Sequence, residues 1–427
     1  MKHNLAYCLF LLPALLFYNP GKLSGQNDIN SPYSYFGIGT IYNNHDAFNM
    51  SMGGLDIALS DHFYVNNANP ASYHAFDTTS FVLEGGFFGS FVTSMTELQT
   101  VKTNDISLGY LLMGFPVTKW WKTSLGLTPY SYLGYSASDV KNLENIGRTS
   151  FDYTGSGGLN KAYWGNSLTF FKKFSVGMNA SFLFGTLNYD KVVSFPDSIY
   201  MTNFRLRNSE QVQDFIFDFG AQYTARIKDI FLTAGLVYNA TTKLNAKRDL
   251  LETTFFPGND QVEYVKDTIV YQPGEKGTIT YPFSLGGGIV VQDSSRWMAG
   301  AEFFWQNWKD YSSFGLPDSL ANTMRFSIGG QYKPLAEGMS KYWQRIYYRV
   351  GFHYEQTYLK LRNNQINEFG VSFGVGLPLK GLTSTVNLGL EIGQSGTKNN
   401  GLIKENFFRF TVGVAMYERW FIKRKFY

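Results

Sequence analysis

The sequence predicts an all-β chain: a transmembrane antiparallel β-barrel of about fourteen strands behind an N-terminal segment of different character. Three observations carry this. Aromatic residues reach 18%, with 38 Phe and 29 Tyr, while charged residues fall to 16%, well under the usual quarter. From Thr79 to the end the residues alternate in character with a period of two. Short and long connections then take turns along the chain, as the two rims of an outer-membrane barrel require. Beyond the N-terminus no apolar run approaches the roughly 20 residues of a membrane helix.

The first element is an address. Lys2 and His3 precede an apolar stretch from Leu5 to Phe17, and Leu23-Ser24-Gly25 offers a small-residue cleavage site before Gln26. Residues 1–25 therefore read as a signal peptide for export to the outer membrane of a Gram-negative bacterium. The single cysteine, Cys8, lies inside it, so the mature chain carries no disulfide and no thiolate metal site. Residues 26–78 form the second element, rich in Asn, Ser and Gly and without sustained alternation. Irregular structure is expected there, with Leu55, Ile57, Leu59, Phe63, Tyr64 and Val65 to bury.

Residues 79–427 are the expected barrel. Phe215, Phe217, Phe219, Ala221 and Tyr223 fall on one face of a strand, with Asp218, Gly220, Gln222, Thr224 and Arg226 on the other. Phe408, Phe410, Val412, Val414 and Met416 alternate in the same way with Arg409, Thr411, Gly413 and Ala415. Tight turns are read at Thr118-Lys119, Lys172-Lys173, Lys228-Asp229 and Lys380-Gly381, and long polar loops at 136–155, 190–210 and 246–276. In hydrocarbon an open sheet edge would strand N–H and C=O groups, so first and last strands must pair. Trp120, Trp121, Tyr130, Tyr132, Trp305, Trp308, Tyr342, Trp343, Tyr417 and Trp420 cluster near strand ends, where interfacial girdles belong, with some turned to the lumen.

The polar face supplies candidate lumen residues: Glu84, Asp218, Arg226, Glu302, Arg325, Arg349, His353, Glu391 and Arg409. A barrel interior needs such groups for ion pairs and hydration, which is favoured over a dedicated path. Acid–base or nucleophilic chemistry generally needs a histidine with an orienting partner. Only His45, His62, His74 and His353 remain in the mature chain, in no catalytic or metal-binding spacing. No enzyme activity, cofactor or metal is expected. The net charge of +4 is scattered, which points away from nucleic acid. Gly286-Gly287-Gly288 has no helix after it and is no phosphate loop, and Lys423-Arg424-Lys425 reads as a basic tail at the periplasmic rim.

Within the N-terminal segment, Ser51-Met52-Gly53-Gly54-Leu55-Asp56-Ile57-Ala58 and then Asn69-Pro70-Ala71 stand just before the first strand. On these residues the chain resembles the long-chain fatty acid and aromatic hydrocarbon transporters (FadL/TodX-like). It departs from them at Ser72, where that family usually has Gly. The resemblance implies a hatch made by 26–78, with Gly53, Gly54, Asn69, Pro70 and Ala71 in its motif. It also implies a kinked third strand that opens the wall sideways. The third strand here contains Gly126 and Pro129, and proline cannot donate a ladder bond, so a lateral opening or a simple bulge is expected there. Two functions follow: passive uptake of a small hydrophobic molecule toward the outer-membrane lipid, or a barrel that serves as an outer-membrane protein partner in secretion or assembly. A continuous apolar tunnel would suit the first, and long docking loops the second.

Overall fold

A computed structural model describes residues 31–42, 46–171, 173–198, 200–257, 262–293, 296–334, 341–379 and 384–420. The expected signal peptide, His45, Lys172, the Lys380-Gly381 turn and the basic tail lie outside the described residues. Alternation has the expected consequence: fourteen antiparallel strands close into one barrel. They are β1 (Ser80–Met95), β2 (Thr100–Pro116), β3 (Trp121–Leu143), β4 (Gly147–Phe170), β5 (Phe174–Ser194) and β6 (Asn203–Ile227). Next come β7 (Ile230–Asn239, continued by Thr242–Pro257) and β8 (Glu263–Tyr281, continued by Ser284–Asp293). The remaining six are β9 (Trp297–Gln306), β10 (Thr323–Tyr332), β11 (Tyr347–Leu361), β12 (Asn364–Pro378), β13 (Thr385–Gly396) and β14 (Lys404–Arg419). Closure is made by β14 on β1, from Lys404↔Met95 to Arg419↔Ser80. Phe215, Phe217, Phe219 and Tyr223 face outward, while Ile216 and Gln222 are buried inside.

The long polar connections are not loops. β3 and β4 run on until only residues 144–146 separate them, and the spans 190–210 and 246–276 are largely strand. β4, β5 and β6 contain 24, 21 and 25 residues, although ~9–11 suffice to cross a bilayer. These long strands of β3 to β8 form a tall wall. At its upper ends, 136–146 and 262–276, both faces are largely exposed, so the apolar–polar alternation fades while backbone pairing continues. On the other side β9 and β10 stop after 10 residues each, which leaves an uneven rim.

The interior is filled in layers. Toward the periplasmic end, Phe48, Met52, Leu55, Leu59 and Tyr64 form one buried cluster, and Val65, Tyr73, Phe76, Tyr110 and Leu112 another. Toward the extracellular end, Tyr33, Ile38, Tyr130, Leu183, Trp308 and Tyr358 belong to a third cluster that caps the lumen. The aromatic girdle accordingly divides: Trp120, Tyr342, Trp343 and Trp420 are exposed, whereas Tyr130, Trp308 and Tyr417 are buried.

Candidate functional site

The segment ahead of β1 folds inside the barrel, and its local structure follows from its sequence. Asp46 caps a single helical turn, Ala47–Met50, by accepting from the Asn49 N–H at 2.8 Å. Gly53 and Gly54 follow with φ of +72° and +77°, the left-handed backbone in which helical turns often end. Asn69 caps the second turn, Pro70–Ala75, by accepting from the Ala71 N–H at 3.0 Å, and Pro70 occupies the first position, where no N–H is missed. The Asn69 amide also donates to the Ile57 carbonyl at 2.6 Å and to the Leu236 carbonyl of β7 at 3.3 Å. The motif Asn69-Pro70-Ala71 thus ties the segment to itself and to the wall.

An irregular backbone buried in a barrel needs partners for its polar groups, and the wall's inward residues supply them. Glu302 accepts from the Asp56 and Ile57 N–H groups, each at 2.9 Å. Glu84 accepts from the Val65 N–H, and Ser372 from Gly53 at 2.7 Å. Lys122 donates to the carbonyls of His74 and Phe76 at 2.9 and 2.6 Å, and Asn179 to that of Asn67 at 2.9 Å. Arg349 lies 4.5 Å from the Phe48 ring centroid and donates to Asn387 at 2.8 Å and to the Tyr64 hydroxyl at 3.3 Å. Gly53 meets the backbone of Phe352 so closely that a Cβ would collide with it, and Gly351 in turn abuts Met52 and Gly53. Lys122, Asn179 and Ser372 escape a search for charge or motif; their inward parity is the only signal for them.

Above this layer lies a charged network. Arg409 donates to Glu368 at 2.8 Å and to Glu391 at 3.0 Å, and His353 sits 3.6 Å from Glu368 and 3.8 Å from Glu391. His353, Glu368 and Glu391 offer ligand atoms within 4.8 Å of one another. The Arg409 guanidinium already bridges the two carboxylates and supplies the positive charge a cation would bring. Asp218 faces inward and accepts from Asn239 and Ser181 at 2.6 and 3.2 Å. Arg226 stands apart at the periplasmic turn, exposed and donating to the Lys228 carbonyl.

Between the lower layer of the N-terminal segment and the cap is a cavity of about 180 Å³, bordered by Tyr42, Phe88, Tyr132, Trp308, His353 and Arg409 among others. The volume matches that of a cavity able to hold one aromatic ring, but the lining is mixed: Arg325, His353, Glu355, Glu368, Glu405 and Arg409 border it beside the aromatic residues. The wall beside it is discontinuous. Among the described residues the β2–β3 ladder runs from Pro116↔Lys122 up to Leu111↔Leu127 and ends there. Gly126 lies within the paired part, opposite Leu112, and Pro129 two residues above its end. A register shift follows Pro129, leaving Tyr130 as the extra residue against β4. The N-terminal segment takes over the upper edge of β3: Thr40 pairs with Tyr132, Ile41 with Ser131, and the Tyr42 N–H donates to the Tyr130 carbonyl at 2.9 Å. The Tyr42 side chain then spans toward β2, its hydroxyl 3.5 Å from Asp105 and its ring edge-on to Phe88 at 5.4 Å. Nothing in the sequence singles out Tyr42, because its role depends on where β3 leaves the sheet.

A family model described as BamG matches residues 10–427. No curated protein matches the chain. Among solved structures, the CymD monoaromatic hydrocarbon channel is similar, with a TM-score of 0.56 at 14% identity over 87% of this chain and 97% of that one. The Pseudomonas putida toluene transporter TodX gives 0.55 at 18% identity over 90% of this chain and all of its own (100%). The Ralstonia pickettii toluene transporter TbuX gives 0.53 at 13%, covering 87% and 98%. At these identities the likeness establishes the fold: an outer-membrane barrel of the FadL-like type.

Proposed function

The chain belongs to the BamG family, and from the FadL-like fold of its barrel we propose that it is a passive outer-membrane channel for a small hydrophobic molecule, with the N-terminal segment as hatch and a lateral exit between β2 and β3. The observation that carries this reading is the end of the β2–β3 ladder at Leu111↔Leu127 beside the ring-sized cavity. Tyr42 stands between cavity and gap and would act as the bolt. The names of the structural neighbours, toluene transporters and monoaromatic hydrocarbon channels, support a monoaromatic ligand. The test is uptake of radiolabelled toluene by cells producing the protein. Tyr42→Ala should raise the initial rate several-fold. A cleavable cross-link between Ser107→Cys and Ser131→Cys, the positions that would face each other if the ladder continued, should stop it until the link is cut. Uptake that ignores the cross-link would sink the lateral route.

One observation favours a second reading, a barrel acting as partner in an outer-membrane assembly or secretion complex. The upper part of β8 carries exposed Tyr264, Val265 and Ile269, with Tyr271 70% exposed, far from the hatch. Affinity purification from native membranes separates the two. A stoichiometric protein partner lost on shortening the β7–β8 hairpin would favour this reading, and apolar ligand without partner the first.

A further inference from the structure

The outer face of the tall wall carries a feature that neither uptake nor hatch docking uses. Gln211 on β6, Lys247 on β7 and Lys276 on β8 form one row across three adjacent strands, with Gln211↔Lys247 and Lys247↔Lys276 as direct partners. All three are exposed, as are Gln213 and Asn245 just below, and together they border a groove of about 260 Å³. Like charges directly opposite each other destabilise a sheet. The acids at the same register do not relieve them. Glu275 pairs with Arg248 at 2.6 Å, and Arg248 lies 4.6 Å from the Phe314 ring centroid, on the opposite face of the strands by alternation. Asp249 accepts from the Gly274 N–H at 2.6 Å, and Asp214 accepts from the backbone and side-chain N–H groups of Asn245, each at 2.8 Å. Among the described residues neither Lys247 nor Lys276 makes an ion pair.

The height of the row on the barrel identifies what would relieve it. Along β6 the outward residues read Gln211, Gln213, Phe215, Phe217, Phe219, so the row stands four residues above the first lipid-facing ring, roughly 13 Å along the strand. Lys243 on β7 lies lower still and can reach the same level with its stem along the apolar surface. Cations directly above an aromatic belt meet the headgroup layer of the outer leaflet. We propose that Lys247 and Lys276, flanked by the amides of Gln211 and Gln213, bind the phosphate of an anionic outer-leaflet lipid whose acyl chains lie against Phe215 and Phe217. Two ammonium groups side by side match the spread charge of one phosphate, and the amides donate to its remaining oxygens.

The test is native mass spectrometry of the mature protein in detergent, titrated with dioleoyl phosphatidic acid. Dioleoylglycerol is the phosphate-free control, and excess inorganic phosphate the competitor. Wild-type protein should retain phosphatidic acid about tenfold better than the double variant Lys247→Gln/Lys276→Gln, and Lys247→Arg/Lys276→Arg should keep most of that retention. Heat-dependent gel mobility checks that each barrel is folded, and the single variant Lys276→Gln, expected to lose part of the retention, serves if the double one is not. Equal retention in the glutamine variants, equal retention of dioleoylglycerol, or complete displacement by inorganic phosphate would each overturn the proposal.

Discussion

Glu302 shows how single side chains hold the N-terminal segment. Its buried carboxylate accepts from the Asp56 and Ile57 N–H groups. Glu302→Ala would orphan both donors, at roughly 1–3 kcal/mol each. Hydrogen exchange at the Asp56 and Ile57 amides should accelerate by at least tenfold while the strands stay protected. Gly351→Ala acts by space: its new Cβ would land on the Met52–Gly53 backbone, and the hatch should loosen by roughly 1–3 kcal/mol, read as faster proteolysis of 46–76. Asp46 adds a pH dependence. Burial raises its carboxyl from 3.8 to about 7, against the opposing Asn49 and Phe48 N–H groups. A carboxyl pushed up in the docked state favours docking below its ordinary range, and that contribution is lost as pH rises toward 7. Exchange within 46–54, corrected for its intrinsic rate, should therefore increase between pH 4 and 7 on this account. Asp46→Asn, which keeps a capping oxygen, should lessen the slope, with Asp56, raised by burial to about 6, accounting for part of the remainder.

Among the elements, β3 and the β7–β8 pair deviate most from regular barrel strands. Pro129 marks the place where β3 leaves β2, yet the N-terminal segment keeps that edge through Tyr42 and the Thr40↔Tyr132 pairing. Pro129→Thr alone should therefore leave the β2–β3 ladder unextended, which the exchange rate of the Leu108 amide would report. The upper β7–β8 hairpin pairs with β6 but rises clear of the hatch anchors. Removing residues 250–271 should leave heat-dependent gel mobility and hatch protection unchanged. Loss of the folded form would show that the tall wall supports the barrel below it.

For the molecule as a whole, the N-terminal segment and the cap fill the lumen at two heights. Deleting residues 46–76 should leave a folded barrel and raise single-channel conductance well above that of the intact protein in planar bilayers. An unchanged conductance would mean that the cap of Tyr33, Trp308 and Tyr358 closes the pore by itself. The same layering explains why the interior carries so many charges: Glu84, Glu302 and Arg349 contact the N-terminal segment, while Glu368 and Glu391 pair with Arg409 and His353 above it.

The sequence by itself determined the closed antiparallel barrel and the face each strand turns to lipid, because a period of two is written directly in residues such as Phe215 to Tyr223 and Phe408 to Met416. The resemblance to a known family marked Gly53, Gly54 and Asn69-Pro70-Ala71; the structure adds that they serve as a cap and as left-handed turns. Outside the lipid the alternation weakens, so the strands spanning 136–155 and 246–276 read as loops. Only the tertiary structure decided which wall residue meets which carbonyl of the N-terminal segment, that Tyr42 reaches from the edge of β3 toward β2, and that Lys247 faces Lys276. Those are register and crossing contacts between residues far apart in the chain, and backbone pairing that fixes them is indifferent to the side chains it brings together.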